Sequence, residues 1–378
     1  MKKLAIIGSG EFQEPLIMKA KNLGYETHVF SLRNNTRGEL EADYFYGINV
    51  LEKEKILKKC QEIKIDGITT IASDITTGTV SYVAEKMNLI GNSIECFLKS
   101  TNKYNMRKAF KENGIEVPKF SLVTKDDNIF EEIKDFTYPV IVKPVDRAGS
   151  RGVTKVNDIL ELKKAIKVAI DESLSSKVIV EEYIEGEEYS CECISVNGKH
   201  KKIAFTKKFT TGSPHFVETG HIQPALLDNE EEIEKVIYNA LDSIKIKNGA
   251  SHSEFKIMPN NEIRIIEIGA RMAGDCIGSH LVNISTGIDY IKLVIDIALG
   301  NEVEIPKEFK HSLCGIKFIC CEDDYNKLLK LEKQHKDVVC FKSNNMHKNA
   351  NEINSSSARG GWYIIKTEDK KIIEKIFY

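Results

Sequence analysis

The chain has 378 residues, more than one hydrophobic core usually supports, so two or three subdomains are expected. With 42% hydrophobic and 29% charged residues it has ordinary globular composition, and its formal charge of −2 gives no general attraction to nucleic acid or an anionic membrane. Nine cysteines, an odd number without paired metal-like spacing, argue against a disulfide framework and suit a reducing cytosol.

The opening "MKKLAIIGSG" has two lysines and a short apolar run, but Gly8 and the polar "EFQE" interrupt it before a signal segment or membrane span could form. It reads as a first β-strand, and a cytoplasmic protein is expected. From residue 1 to about 95, strands at "KLAIIG", "ETHVFSL" and "GITTIAS" alternate with helices through "EPLIMKAKNLG", "EKEKILKKCQEIK" and "TGTVSYVAEKMNL". That alternation implies a parallel sheet with helices on both faces. The first turn, "GSGEFQ", has two of the three glycines of a dinucleotide fingerprint, and no acid closes the second strand at Phe30 and Ser31, so a dinucleotide site is disfavoured. The loop is a tight turn or a substrate contact. Asp74, in "IASDITTG", either caps the next helix or meets a ligand at the carboxyl edge of the sheet.

Around residue 100 the pattern changes. "STNKYNMRKAFKENG" is framed as one helix by its Ser/Thr start and Gly stop. "YPVIVKPVDRAGSRGV" predicts strand, Gly-rich loop and strand; a helix follows over 158–172, then "KVIVEEYIEGEEYSCECISV" as strand, short linker and strand. A loop is expected over roughly 207–224, a helix over 229–244, a hairpin over 250–269, a long helix over about 284–299 and a smaller α+β segment over 310–378. "CEC" at 191–193 and "CC" at 320–321 lie in strand-like contexts and read as buried structural thiols ahead of zinc ligands.

In the hairpin, "ASHSEFKIM" and "IRIIEIG" are joined by "PNNE". A two-residue or four-residue loop gives the same register, with Met258 facing Ile263 and Glu254 facing Glu267. Directly opposed like charges destabilise a sheet, so a cation is expected between them. A divalent metal suits the pair, since Mg²⁺ is commonly held by one or two carboxylates plus phosphate. The alternative is one acid solvated or salt-bridged by Lys256 or Arg271, and the hairpin alone does not separate the two.

In "VKPVDRAGSRGV", Gly149 and Gly152 flank Ser150 and Arg151, a composition that lets backbone N–H groups turn toward an anion, with Lys143 on the entering strand. A plain exposed turn is the alternative, and no P-loop pattern occurs. "VIVEEYIEGEEYS" offers apolar residues to cover a planar base, backbone groups at 181–184 to pair with its edge, and Glu188 to accept from ribose hydroxyls; an acidic strand end is the alternative.

These motifs together resemble the ATP-grasp superfamily, specifically the carboxylate–amine ligases, with the match strongest in "VKPVDRAGSRGV", "VEEYIEGEEYS", "HSEFK" and "IEIGARMAGD". The spelling "EIGAR" resembles a subset containing L-amino-acid ligases that make dipeptides. The resemblance implies an α/β and α+β fold: a Rossmann-like domain (1–95), an ATP-grasp domain (96–300, subdomains about 110–180 and 181–300) and a small C-terminal α+β subdomain (301–378). It implies ATP and two Mg²⁺, with Mn²⁺ as the alternative ion. Lys103 and Lys143 would contact phosphates, covered by Ser150, Arg151 and Gly152. The linker Glu181, Glu182, Tyr183 and Ile184 would read adenine, Glu188 would hold ribose, and Glu254 and Glu267 would bind metal. Many members carry Glu-x-Asn in the last strand with Asn as a further ligand; here that position is Gly269, so water, phosphate or Asp275 would substitute.

The implied chemistry is formation of an acyl phosphate from a carboxylate and ATP, then displacement by an amine. Arg271 would grip the γ-phosphate or the tetrahedral oxyanion, a salt bridge to Glu267 being its alternative. The turn-rich "TTGSPHFVETGHIQPA" places His215, Phe216, Glu218 and His221 in a lid or substrate contact, with Gly274 also on the substrate side. His280 faces the acceptor or caps a helix, and Arg359 in "SSSARGGWYI" reaches the site or marks a structural turn. Small-molecule carboxylate and amine substrates are the expected partners, with no nucleic acid and no membrane. Homodimers are common among resembling proteins, although no interface signature is legible. A purine-pathway ligase or carboxylase of the same fold, and a non-catalytic ATP-binding regulator, are the competing functions.

Overall fold

The computed structural model describes all residues except 126, 128, 307, 308, 311, 336, 345 and 348–352. Among the described residues the strands form three sheets.

The first sheet contains β1 (Lys3–Ile7), β2 (Glu26–Ser31), β3 (Tyr44–Gly47) and β4 (Gly67–Thr69), all parallel, in the order β3-β2-β1-β4. Alternate residues of β1 enter different cores, as side chains on a strand must. Leu4 and Ile6 pack with helix Glu14–Asn22 and with the later helix Tyr290–Ala298; Ala5 and Ile7 pack with helices Lys53–Ile63 and Asp74–Met87. Burial on both faces explains the uninterrupted apolar run. The predicted pattern misses β3 and the short helix Arg37–Glu41, because "YFYG" is a half-exposed edge strand with no apolar run.

The second sheet has β5 (Phe120–Val123), β6 (Val140–Pro144), β7 (Thr154–Val156) and β8 (Val178–Glu182) in the antiparallel order β5-β8-β6-β7, with helix Ile159–Glu172 packed on it.

The third sheet is antiparallel and carries the site. Its strands are β9 (Glu187–Val196), β10 (Lys199–Thr210), β11 (Glu218–Gln223), β12 (Gly249–Ile257), β13 (Ile263–Gly269), β14 (Cys314–Phe318), β15 (Val339–Lys342) and β16 (Trp362–Lys366), ordered β13-β12-β9-β10-β11-β14-β16-β15. The last three extend the same sheet that bears the acidic hairpin, so the C-terminal segment is pinned beside the site; residues 311, 336, 345 and 348–352 of it lie outside the described residues.

Several expectations are corrected. The loop placed at 207–224 is only 211–217, because β10 runs to Thr210 and β11 starts at Glu218. Lysines every one or two residues hide β10, and β11 ("ETGHIQ") has one apolar side chain. The helix expected around 100–114 is Lys103–Glu112, begun at Asn102, whose side chain accepts from Asn105 N at 3.0 Å, and an unexpected helix, Ile94–Thr101, directly precedes it. The long helix over 284–299 is interrupted: Ile277–Leu281 and Val282–Thr286 stop at Gly287 (φ 76°), and Asp289 caps Tyr290–Ala298. All nine cysteines are free, but only the first pair read as buried is so: Cys191 and Cys193 are buried, whereas Cys320 is half-buried and Cys321 exposed at a helix start. Among the described residues no helix is long and apolar enough to cross a membrane.

Candidate active site

Glu254 and Glu267 face each other across β12 and β13. The register differs from expectation nearer the turn, where Ile257, not Met258, faces Ile263; a bulge after Glu254 leaves Ile266 unopposed and restores the acids to one pair. The freed Ile266 carbonyl accepts from Arg107 Nη2 at 2.9 Å.

Each acid holds a cation. Lys103 Nζ donates to Glu267 Oε1 and to Arg147 O, both at 2.7 Å. Lys208 Nζ donates to Glu254 Oε1 at 2.5 Å and lies 3.3 Å from Glu188 Oε1 and 3.7 Å from Glu218 Oε1. Neither Lys256 nor Arg271 takes an acid of the pair: Lys256 Nζ donates to Ile184 O at 3.1 Å. Behind Glu254, His252 Nε2 approaches it at 3.2 Å and Nδ1 contacts the fully buried Glu192 at 2.5 Å. Burial opposes the charges on Glu254 and Lys208, but Lys208 and His252 hold the Glu254 carboxyl well below its usual range, and the three surrounding acids hold Lys208 well above its own.

Lys208, His252 and Glu192 are absent from the sequence reading. His252 was accessible, since residues two apart share a strand face. So was Glu192, an acid inside an apolar strand. Lys208 was hidden among neighbouring lysines. Its side chain is only 2% exposed. Removing it strips three carboxylates of their shared cation, so Lys208→Met is expected to cost about 3–5 kcal/mol in unliganded stability. Thermal melts with and without magnesium chloride check this, with the metal expected to restore part of the loss.

A second cluster lies beneath. Lys143 Nζ pairs with Glu181 Oε1, and Arg107 Nε donates to Glu181 Oε2 at 2.9 Å. Burial alone would raise the Glu181 carboxyl, yet Arg107 and Lys143 bring it down to about 2. Glu181 therefore enters through its side chain; it lies inside β8, flanked on both sides by β5 and β6. At the end of β8, Glu182 accepts from Thr137 N at 2.8 Å, and just beyond it the Tyr183 ring lies under Lys155 and Lys256.

Three loops converge over these cations. Gly149, Ser150 and Gly152 are all left-handed (φ 71°, 58° and 70°), the conformation the two glycines were expected to permit. Ser150 Oγ donates to Phe216 O at 3.1 Å, and the Phe216 ring stacks 6.0 Å from Tyr183. Ser356 N donates to Gly149 O at 3.4 Å and Ser356 Oγ to Glu218 Oε2 at 3.1 Å. The Gly-rich loop, the 211–217 loop and the C-terminal segment are thus tied together. Arg151 stays exposed, its Nε turned back to Ala148 O, and His215 is half-buried in its loop.

On the substrate side, Arg271 Nη2 donates to Asp74 Oδ2 at 2.8 Å, not to Glu267. Asp275, a candidate replacement ligand for the missing Asn at 269, accepts two 2.8 Å bonds from Arg359 in the unliganded protein. His221 is buried with Nε2 3.9 Å from Asp275, and burial lowers its pKa. Gly274 packs near Ala72 in the loop after β4, and His280 sits beside Phe341 and Trp362. Among the described residues no three His, Cys, Asp or Glu side chains converge as a metal cluster. The donor set fits a hard cation that takes two carboxylates and completes its shell with phosphate and water, as Mg²⁺ does.

The ATP-grasp domain profile matches residues 136–279. The chain is 28% identical over 281 residues to alanine–anticapsin ligase of Bacillus subtilis, covering 67% of this chain and 58% of that protein. In structure it resembles the L-amino acid ligase of Bacillus licheniformis (TM-score 0.85, 22% identity, 100% and 96% covered) and the N5-carboxyaminoimidazole synthetase of Staphylococcus aureus complexed with ADP (TM-score 0.80, 18% identity, 100% and 97% covered). The chain spans about 58% of the length of the curated relatives it matches first.

Proposed function

We propose that this protein is an ATP-dependent carboxylate–amine ligase, with amino acids as its substrates, that forms an amide bond through an acyl phosphate and releases ADP and phosphate. The observation that carries the reading is the opposed pair Glu254–Glu267, with Lys208 and Lys103 already seated against it. Two acids placed face to face need cations, and the two lysines meet that need in the unliganded protein. With a triphosphate bound, Lys103 and Lys208 would pair with phosphate oxygens, and Glu254 and Glu267 would be the residues that hold the metal. Mg²⁺, or Mn²⁺, would neutralise the β- and γ-phosphate oxygens and keep donor and acceptor in line.

The chain's own groups supply the rest. Lys143 and Ser150 hold the phosphates under the Gly-rich loop, Glu188 accepts from ribose, and the 182–184 linker borders the base. A carboxylate oxygen of the first substrate attacks the γ-phosphorus as the bond to the ADP oxygen breaks. The amine then attacks the acyl carbon, loses a proton and expels inorganic phosphate. Arg271 faces the charge that gathers on the phosphoryl group and the tetrahedral carbon. The 211–217 loop, latched by Ser150 to Phe216, keeps out water that would hydrolyse the mixed anhydride. Glu218 and His221 on β11 line the acceptor side. The cytoplasm is the setting in keeping with nine free cysteines.

The test is a screen of amino-acid pairs for ATP-dependent phosphate release, with hydroxylamine present to trap the acyl phosphate as a hydroxamate. ADP, phosphate and a hydroxamate are expected. AMP with pyrophosphate, or turnover confined to phosphoribosyl amines or bicarbonate, would contradict the proposal.

A further inference from the structure

We infer that Asp74, delivered from the first sheet, is a positioning residue for Arg271, and that position 269 is glycine to leave room for that pair. The inference rests on the reading of Arg271 as the grip on the transferred phosphoryl group.

Gly269 has no left-handed φ, so backbone freedom does not account for it. It stands on the same face of β13 as Glu267, two residues on, and opposite His252. A Cβ at 269 would lie 2.9 Å from Asp74 Oδ1, 3.1 Å from Arg271 Cζ and 3.3 Å from Arg271 Nη1. The Asp74 carboxylate therefore occupies the space a side chain at 269 would claim. Relief of that contact requires the Asp74 carboxylate and the Arg271 guanidinium to give by a few tenths of an ångström, which loosens the bond between them.

The pair is built from both sides. Asp74 is the first residue of helix Asp74–Met87, whose N-terminus favours a carboxylate. Two residues earlier, Ala72 N donates to Met272 O at 3.0 Å, joining the loop after β4 to the residue beside Arg271. Arg271 is held by its outer nitrogens, Nη2 on Asp74 and Nη1 at 3.4 Å from Met272 O. Its Nε is buried with no hydrogen-bond partner among the described residues, as is Asp74 Oδ1. Asp74 thus fixes the guanidinium while one donor stays unspent for a phosphoryl oxygen. The arginine is buried, and Asp74 helps keep it charged against that burial.

The experiment is a double-mutant cycle of Asp74→Gly and Gly269→Ala, read by melting temperature of the unliganded protein, together with steady-state kinetics of Asp74→Asn. Gly269→Ala alone is expected to lower the melting temperature by about 2 °C or more, and to leave it within about 1 °C in the Asp74→Gly background. Asp74→Asn is expected to lower kcat by about 10- to 100-fold with KM for ATP changed less than about twofold, by analogy with other residues that orient a reacting group through a neighbour. Equal melting penalties in both backgrounds would overturn the account of Gly269. An Asp74→Asn enzyme with parental kcat would overturn the positioning role. The melting cycle needs no substrate, so its result is separable from any failure of the ligase reading.

Discussion

Glu267→Gln is expected to lower kcat by at least about 10²-fold, the scale on which single groups that stabilise transferring charge act, while the variant remains folded. Glutamine keeps the shape of glutamate and an oxygen to accept from Lys103 Nζ, which also retains its bond to Arg147 O. The structural loss is then one charge-assisted contact, about 1–2 kcal/mol. The functional loss is larger, because a neutral amide is a poor ligand for a hard cation and leaves Glu254 as the one acid of the pair. Steady-state kinetics beside a thermal melt check both halves. A variant with near-parental turnover would show that Glu267 does not serve the metal.

Arg107→Met is expected to destabilise the protein by about 3–5 kcal/mol, because it removes one partner of a buried ion pair. Arg107 is 1% exposed and bridges Glu181 on β8 to the bulged Ile266 carbonyl beside Glu267. Its loss leaves Glu181 with Lys143 alone and the Ile266 oxygen without its donor. The same cluster sets an acid limit. Glu181 has a folded pKa of about 2 against an ordinary 4.5. A depressed carboxyl contributes stability that is full above its unfolded value and is lost as pH falls through the folded one. Part of the stability is therefore expected to disappear between about pH 4.5 and 2, and Glu181→Gln should flatten that limb. Chemical denaturation at a series of pH values measures it.

Much of the architecture is legible in the chain. β1, β2 and β4 read clearly because a parallel sheet covered on both faces has long apolar runs. The Glu254–Glu267 pairing was readable from turn chemistry and the two-residue strand period, although the register near the turn is one residue off and the bulge at Ile266 compensates. What the sequence conceals is of two kinds. β10 and β11 carry a threonine, a lysine, a histidine and a glutamine inward (Thr206, Lys208, His221 and Gln223), because the site they line is polar; alternation of apolar residues cannot reveal such strands. The partners of the candidate residues are also remote: Arg271 meets Asp74 across 197 positions, Lys103 meets Glu267 across 164, and Arg359 meets Asp275 across 84. Local spacing has no access to contacts made by packing separate layers. Gly269 shows the difference well, since in sequence it reads as a missing ligand, whereas in the fold its lack of a side chain is what admits Asp74.

The most direct measurement uses an amino acid that supports turnover, labelled with oxygen-18 in its carboxylate. Attack of that carboxylate on the γ-phosphorus carries one labelled oxygen into the inorganic phosphate released when the amine displaces it. The account predicts one labelled oxygen per phosphate, with ADP as the nucleotide product. Unlabelled phosphate, or label recovered in AMP, would contradict it.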